Sequence, residues 1–209
     1  MVTQPDIPNR TQRRASKTRN RLLQAALAVF AEVGTDAATI EMITQRADLG
    51  KGTFYRHFAD KGEIIGTLIE QCVDELVEAI SQAAGRPHSL QEALDALVNG
   101  HVEFFLSHQD EYILLFQGRM VLKLDRGLAC DIERPYESYL HRVEELVGPF
   151  LPQPVDAVKI RRLACAIAGL VSGFLSFAMI TMEPQAVRES IEPMRGAFLG
   201  AVVGFMERR

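Results

Sequence analysis

The sequence predicts an all-α protein of about nine helices, with an N-terminal three-helix helix-turn-helix domain followed by a larger helical body. Three observations carry this. Apolar residues recur at spacings of three and four along most of the chain, as one buried face of a helix requires. The breaks between these stretches hold glycine, proline and side chains suited to capping helix ends. Alternating apolar and polar runs bounded by turn residues, the mark of half-buried strands, are missing.

Residues 1–16 are polar and contain Pro5 and Pro8, which predicts a flexible basic arm. A first helix over 17–33 aligns Leu22, Ala26, Val29, Phe30 and Val33 on one stripe, and Gly34 follows where a helix end favours left-handed backbone. Thr39 is a good N-cap for a second helix with Ile40, Ile43 and Ala47 on its inner face. A tight break at 48–50 leads to a short third helix over 51–58. Asp60 can cap a long fourth helix reaching Ala84, and Ser89 a fifth reaching Ser107. A sixth covers about 110–123. After a less regular stretch a seventh covers 134–147 and ends before Pro149, Pro152 and Pro154. Asp156 can cap an eighth to about Met182, and Glu183-Pro184 opens a ninth. The expected organisation is thus an arm (1–16), a helix-turn-helix domain (17–62) and a helical ligand-binding and dimerisation domain (63–209).

Charge is unevenly distributed. The chain carries a net −4 over its 209 residues. Residues 1–25 nevertheless hold six Lys and Arg against Asp6 alone, and 1–61 is +4, which leaves −8 for the remainder. A basic front on an acidic body favours a polyanion at one end only, because screening confines the attraction to about 8 Å. A solvated basic tail is the plainer reading of the same charges. Cys72, Cys130 and Cys165 form no paired motif, which fits a reducing cytoplasm. From Leu163 to Met182 no residue is charged, long enough to span a bilayer. The glycines, serines and alanines within it favour burial in protein, so no membrane partner is expected.

The segment Thr39–Lys61, TIEMITQRADLGKGTFYRHFADK, carries the chemistry. Two short helices joined by a tight turn are the plan of a helix-turn-helix. On the second of them Phe54 and Phe58 are four apart and should pack inward on Ile40, Ile43 and the first helix, with Leu49 plugging the turn. At 100° per residue, Gly52 and Arg56 then lie opposite that anchor, Thr53 and Tyr55 flank it, and Lys51 and His57 stand nearer its edge. Such a face suits a major groove. Glycine permits close approach, Lys51 can reach guanine or phosphate, Thr53 can meet base edges, and Tyr55 and His57 can donate to phosphates. Lys61 and Thr39, at the starts of the fourth and second helices, add donors where the helix dipole already favours an anion.

The run Arg21-Leu22-Leu23, Ala25-Ala26, Phe30-Ala31-Glu32, Gly34, Ala38-Thr39, Ile43, Ala47 and Gly52-Thr53-Phe54-Tyr55-Arg56-His57-Phe58, then Asp60-Lys61, closely resembles the TetR family of bacterial regulators over about residues 17–65. The resemblance implies an all-helical homodimer that binds a double-stranded operator, with a C-terminal ligand domain. It also implies that Thr39, Lys51, Gly52, Thr53, Tyr55, His57 and Lys61 face DNA. The chain departs from the family pattern twice: Asp48 stands where glycine is usual, and Gly50 where serine is usual. Asp tolerates left-handed backbone, and glycine is a weaker N-cap.

Beyond residue 65 the resemblance fades. Helices eight and nine carry apolar stripes beside small residues, and similar proteins dimerise through their last two helices. Aromatic and sulfur side chains with a few polar tips suggest a pocket for a small apolar or amphipathic ligand, with His101, Phe104, Phe105, Tyr112, Phe116, Met120, Tyr139, Phe174 and Phe177 as candidates. Each of them also reads as plain core. No catalytic constellation, phosphate-binding loop, complete metal set or cofactor site emerges. The expected function is a cytoplasmic, ligand-responsive repressor and not an enzyme. A helical ligand-binding protein without a DNA role and a membrane-anchored helical protein are the alternatives.

Overall fold

The computed structural model describes residues 10–124, 126–151, 154 and 156–207. Among them every regular element is helical: α1 (Arg10–Ala37), α2 (Ile40–Arg46), α3 (Lys51–Phe54), α4 (Lys61–Ala84), α5 (Leu90–Ser107), α6 (Gln109–Leu124), α7 (Arg126–Val147), α8 (Ala157–Thr181) and α9 (Pro184–Glu207), with a one-turn 3-10 helix at Gly148–Phe150. The chain divides into two compact units, one ending at Leu68 and the other beginning at Ile69.

In the first unit, α1 buries Leu22, Leu23, Ala25, Ala26, Val29 and Phe30. Its regular helix is interrupted at Gly34, whose φ of 80° and ψ of 161° lie in a region essentially restricted to glycine. The Thr39 hydroxyl caps α2 by accepting from the Met42 amide at 3.2 Å. Asp60 caps α4 by accepting from the Glu63 amide at 2.9 Å, and the Glu63 carboxylate reaches back to the Ala59 amide at 2.5 Å. The arrangement resembles a capping box, except that the return bond goes to the residue before the cap.

In the second unit, α5 packs against α6, α7, α8 and α9 and buries Leu94, Leu97, Val98, Val102, Phe104 and Phe105. It also crosses α4 closely: a β-carbon at Gly100 would lie 2.6 Å from the Ile80 Cα. Ser89 and Asp156 cap α5 and α8 through their side chains. Cys72 is buried on α4; burial, reinforced by the Glu111 and Glu75 carboxylates, pushes its thiol far above the ordinary range, so it stays neutral in the core.

Three boundaries depart from the sequence reading. The first helix begins at Arg10, so residues 10–16 are helix where an arm was expected. The third helix closes after one turn at Phe54 and continues as turns to His57. The seventh begins at Arg126 and passes through Pro135, a residue that removes one backbone donor and so reads as a helix start.

Candidate nucleic-acid interface and internal cavity

The helix-turn-helix is anchored by two rings. Phe54 is 0% and Phe58 1% exposed, and their centroids lie 5.7 Å apart. Ile43 is fully buried in the same unit, whereas Ile40 and Leu49 are half-buried. Backbone bonds from the Tyr55 amide to Lys51 O (3.2 Å), from His57 to Phe54 O (2.8 Å) and from Phe58 to Phe54 O (3.0 Å) hold the short helix and its trailing turn together. With the rings inward, Lys51, Gly52, Tyr55 and Arg56 are exposed and Thr53 and His57 half-buried. Tyr55 stands on the edge of Phe54, centroids 5.5 Å apart, and remains 56% exposed. A β-carbon on Gly52 would meet nothing within 4 Å. The fold therefore does not require glycine here; an approaching surface would.

Asp48 adopts φ 51° in the turn before this helix, the left-handed backbone that Asp tolerates better than most residues. Gly50 is the N-cap of α3 and supplies no side-chain hydrogen bond. The turn is held by the Leu49 amide donating to Thr44 O at 2.9 Å and by Arg21 Nη2 donating to Ala47 O at 2.6 Å.

Several residues expected to face DNA are engaged within the protein. The Thr39 oxygen caps α2. Lys51 pairs with the Glu41 carboxylate. Arg56 donates to Thr53 Oγ1 at 3.3 Å. The Lys61 ammonium donates to the carbonyls of Thr35 (2.8 Å), Asp36 (3.2 Å) and Ala38 (3.0 Å), so its three protons tie the end of α1 and the α1–α2 link to α4. A place at a helix start points Lys61 toward a phosphate, and acceptors some 25 residues away in the chain leave no signal in the local sequence. Arg19 was also missed: its guanidinium lies 4.9 Å from the Phe58 ring centroid, covering the anchor.

The second unit holds a half-open cavity of about 350 Å³. His101, Tyr112 and Tyr139 line it, joined by Tyr136, Ser172 and Cys165 and by apolar side chains from α4, α6, α7 and α8. His101 Nδ1 lies 2.7 Å from Leu97 O. A carbonyl only accepts, so Nδ1 carries the proton, and in the neutral ring Nε2 accepts the Tyr139 hydroxyl at 2.8 Å. The Tyr112 and Tyr136 hydroxyls donate to Ser172 O (3.3 Å) and Leu115 O (2.6 Å). Among the described lining residues none is charged. The other candidates lie elsewhere. Phe104 and Phe105 are core, the first stacked on His108 and the second edge-on to Tyr112. Phe116 is 43% exposed and Phe177 73%. Phe174 lines a shallow apolar depression with Gly169, Gly173 and Phe198 of α8 and α9. The Met120 side chain lies outside the described residues. Helical spacing places these aromatics on the second unit's helices but does not say which turn toward a void.

A family model for bacterial regulatory proteins of the tetR family matches residues 22–68. The HTH-type transcriptional regulator YvdT of Bacillus subtilis is 30% identical over 128 residues, which are 59% of this chain and 63% of that protein. This chain thus spans less than two thirds of that relative. The HTH-type transcriptional regulator TtgW of Pseudomonas putida is 30% identical over 131 residues, 58% of this chain and 97% of that one. The fatty acid degradation regulator FadR of Bacillus halodurans shares the fold, with a TM-score of 0.69 over 94% of this chain and 97% of that chain at 20% identity.

Proposed function

Because the chain belongs to the TetR family of bacterial regulatory proteins, helix-turn-helix transcriptional regulators and not enzymes, we propose that it is a cytoplasmic repressor that binds a palindromic operator as a homodimer and releases it when a small ligand occupies the second unit. The base-reading surface in this proposal is the exposed side of α3, with Lys51, Gly52 and Thr53 toward bases and Thr39, Tyr55, Arg56 and His57 toward phosphates. Lys61 holds the α1–α2 link in place for them. The ligand is apolar or amphipathic, sized for a cavity of about 350 Å³ and met by the His101–Tyr139 pair. A ligand that prefers one spacing of the two recognition helices shifts the population off DNA by its differential affinity for the two states, and no more. Two half-sites require those helices about 34–36 Å apart.

One observation carries the reading: Phe54 and Phe58 are buried while Gly52, on the opposite side of the same short helix, faces open space. Alanine at that position fills no occupied volume in the free protein and favours helix by up to about 1 kcal/mol. Gly52→Ala should therefore keep or raise the thermal midpoint while weakening binding to duplex DNA from upstream of its own gene by about tenfold or more, the order of a base contact. Fluorescence anisotropy measures it. Undiminished affinity in this variant removes α3 from the interface, and a wild-type protein that ignores duplex DNA at low salt removes the regulator reading altogether.

A further inference from the structure

The first turns of α1 lie outside the core of their unit. Residues 10–17 are exposed, and burial begins at Leu22. Arg10, Arg13, Arg14, Lys17 and Arg21 follow at helical spacing, so their side chains leave α1 within an arc of about 100° and form a stripe about 16 Å long. The C-terminal member fixes where the stripe leads. Arg21 reaches the carbonyl of Ala47, which closes α2, at 2.6 Å. The cations therefore run back along α1 from the side that faces the turn before α3.

This stripe works against the helix that carries it. No Asp or Glu occurs between Asp6 and Glu32, and the first turn of α1 has no acidic residue. Cations at a helix N-terminus oppose the helix dipole, and like charges three and four apart repel. Among the described residues, Arg10, Arg13, Arg14 and Lys17 have no ion pair to offset this. A local conflict of this kind marks a surface whose opposite charge arrives from outside.

We infer that the stripe is a second DNA surface, a rail of cations laid along the phosphate backbone beside the bases that α3 reads. The inference rests on the regulator reading. The partner is matched by charge and by length: one strand of B-DNA presents a phosphate roughly every 3.4 Å of axis, four to five along the stripe. Contacts of this class add affinity and fix register without carrying sequence information.

The test uses the full chain and the variant R10Q/R13Q/R14Q/K17Q. Binding to a random duplex of about 30 bp and to a duplex from upstream of its own gene is followed from about 50 to 200 mM salt. The expected result is a log K against log salt slope shallower by about 3 to 4 per protomer, at about 0.9 per lost phosphate contact. Affinity falls equally on both duplexes and the thermal midpoint holds or rises, because all four positions are exposed and their charges oppose the helix dipole. Exposed Arg86 and Arg162 serve as the control for net charge, and R86Q/R162Q should leave the slope unchanged. A variant slope within one contact of wild type overturns the rail, as does a loss confined to the upstream duplex. If the slopes are unchanged but the variant alone loses binding to anionic vesicles, the stripe is a lipid surface and the inference is overturned. Wild-type protein that binds neither duplex overturns the regulator reading and this inference with it, an outcome distinct from the variant failing alone.

Discussion

Lys61 has three ammonium protons, and three carbonyls at the end of α1 and in the α1–α2 link accept them at 2.8, 3.2 and 3.0 Å. A phosphate contact and an internal tie differ in what salt does to their loss. Removing a phosphate contact makes the salt dependence shallower by about one contact, whereas loosening a link lowers affinity at every salt concentration alike. Lys61→Met keeps the aliphatic stem and removes the donors. It should lower stability by about 1–2 kcal/mol, the order of hydrogen bonds from a charged donor at a partly exposed site. DNA affinity should weaken at an unchanged salt slope, read by anisotropy across a salt series. A slope shallower by one contact would return Lys61 to the phosphates. Asp48 and Gly50 act at the same scale. The two residues that depart from the family pattern occupy the left-handed turn position and an N-cap lacking a side-chain bond, so each supplies its backbone geometry less well than the usual residue and neither alters the fold.

Helix α5 depends on one close crossing. At Gly100 a β-carbon would stand 2.6 Å from Ile80 Cα and 2.9 Å from Ile80 N, and backbone atoms cannot rotate away as a side-chain tip can. Gly100→Ala should separate α4 from α5 and cost about 1–3 kcal/mol, as overpacking does, against the gain that alanine brings to an open helix position. Thermal unfolding checks it, and a midpoint equal to wild type would mean the crossing is slack. Elements of this kind were legible from local rules wherever the determinant is local. Thr39, Asp60, Ser89 and Asp156 announced the starts of their helices, and each caps one through its side chain. The four-residue spacing of Phe54 and Phe58 announced the anchor. What stayed hidden is decided across the chain. The partners of Lys51 and Lys61, the void beside His101 and the tolerance of Pro135 inside α7 depend on which helices meet, and periodicity does not encode that. Arg10 to Ser16 read as an arm because they carry no apolar stripe, yet they continue a helix whose core contacts begin only at Leu22.

At the scale of the molecule, α8 presents apolar side chains to solvent. Phe177 is 73%, Ile180 79% and Leu170 42% exposed, and this is the one described helix long and apolar enough to cross a membrane. Gly169, Gly173, Gly196 and Gly200 leave open space along α8 and α9, which lets another helix pair approach closely. Were the proposed homodimer to form through these helices, it would bury the stripe, and two-fold symmetry would supply the second half-site that a single short recognition helix lacks. Phe177→Glu tests this with little effect on the protomer, because most of the side chain lies outside its core. Symmetry places the substitution twice in the interface. Each copy forfeits about 1.5–3 kcal/mol of apolar burial and buries a carboxylate without a partner. The variant should sediment as a monomer where the wild type sediments as a dimer, keep its thermal midpoint at high dilution, and bind an operator-length duplex at least about a hundredfold more weakly, the cost of losing one of two linked half-sites. A variant that stays dimeric would move the interface off this face of α8, whereas a wild-type protein recovered with membranes would give the stripe to lipid.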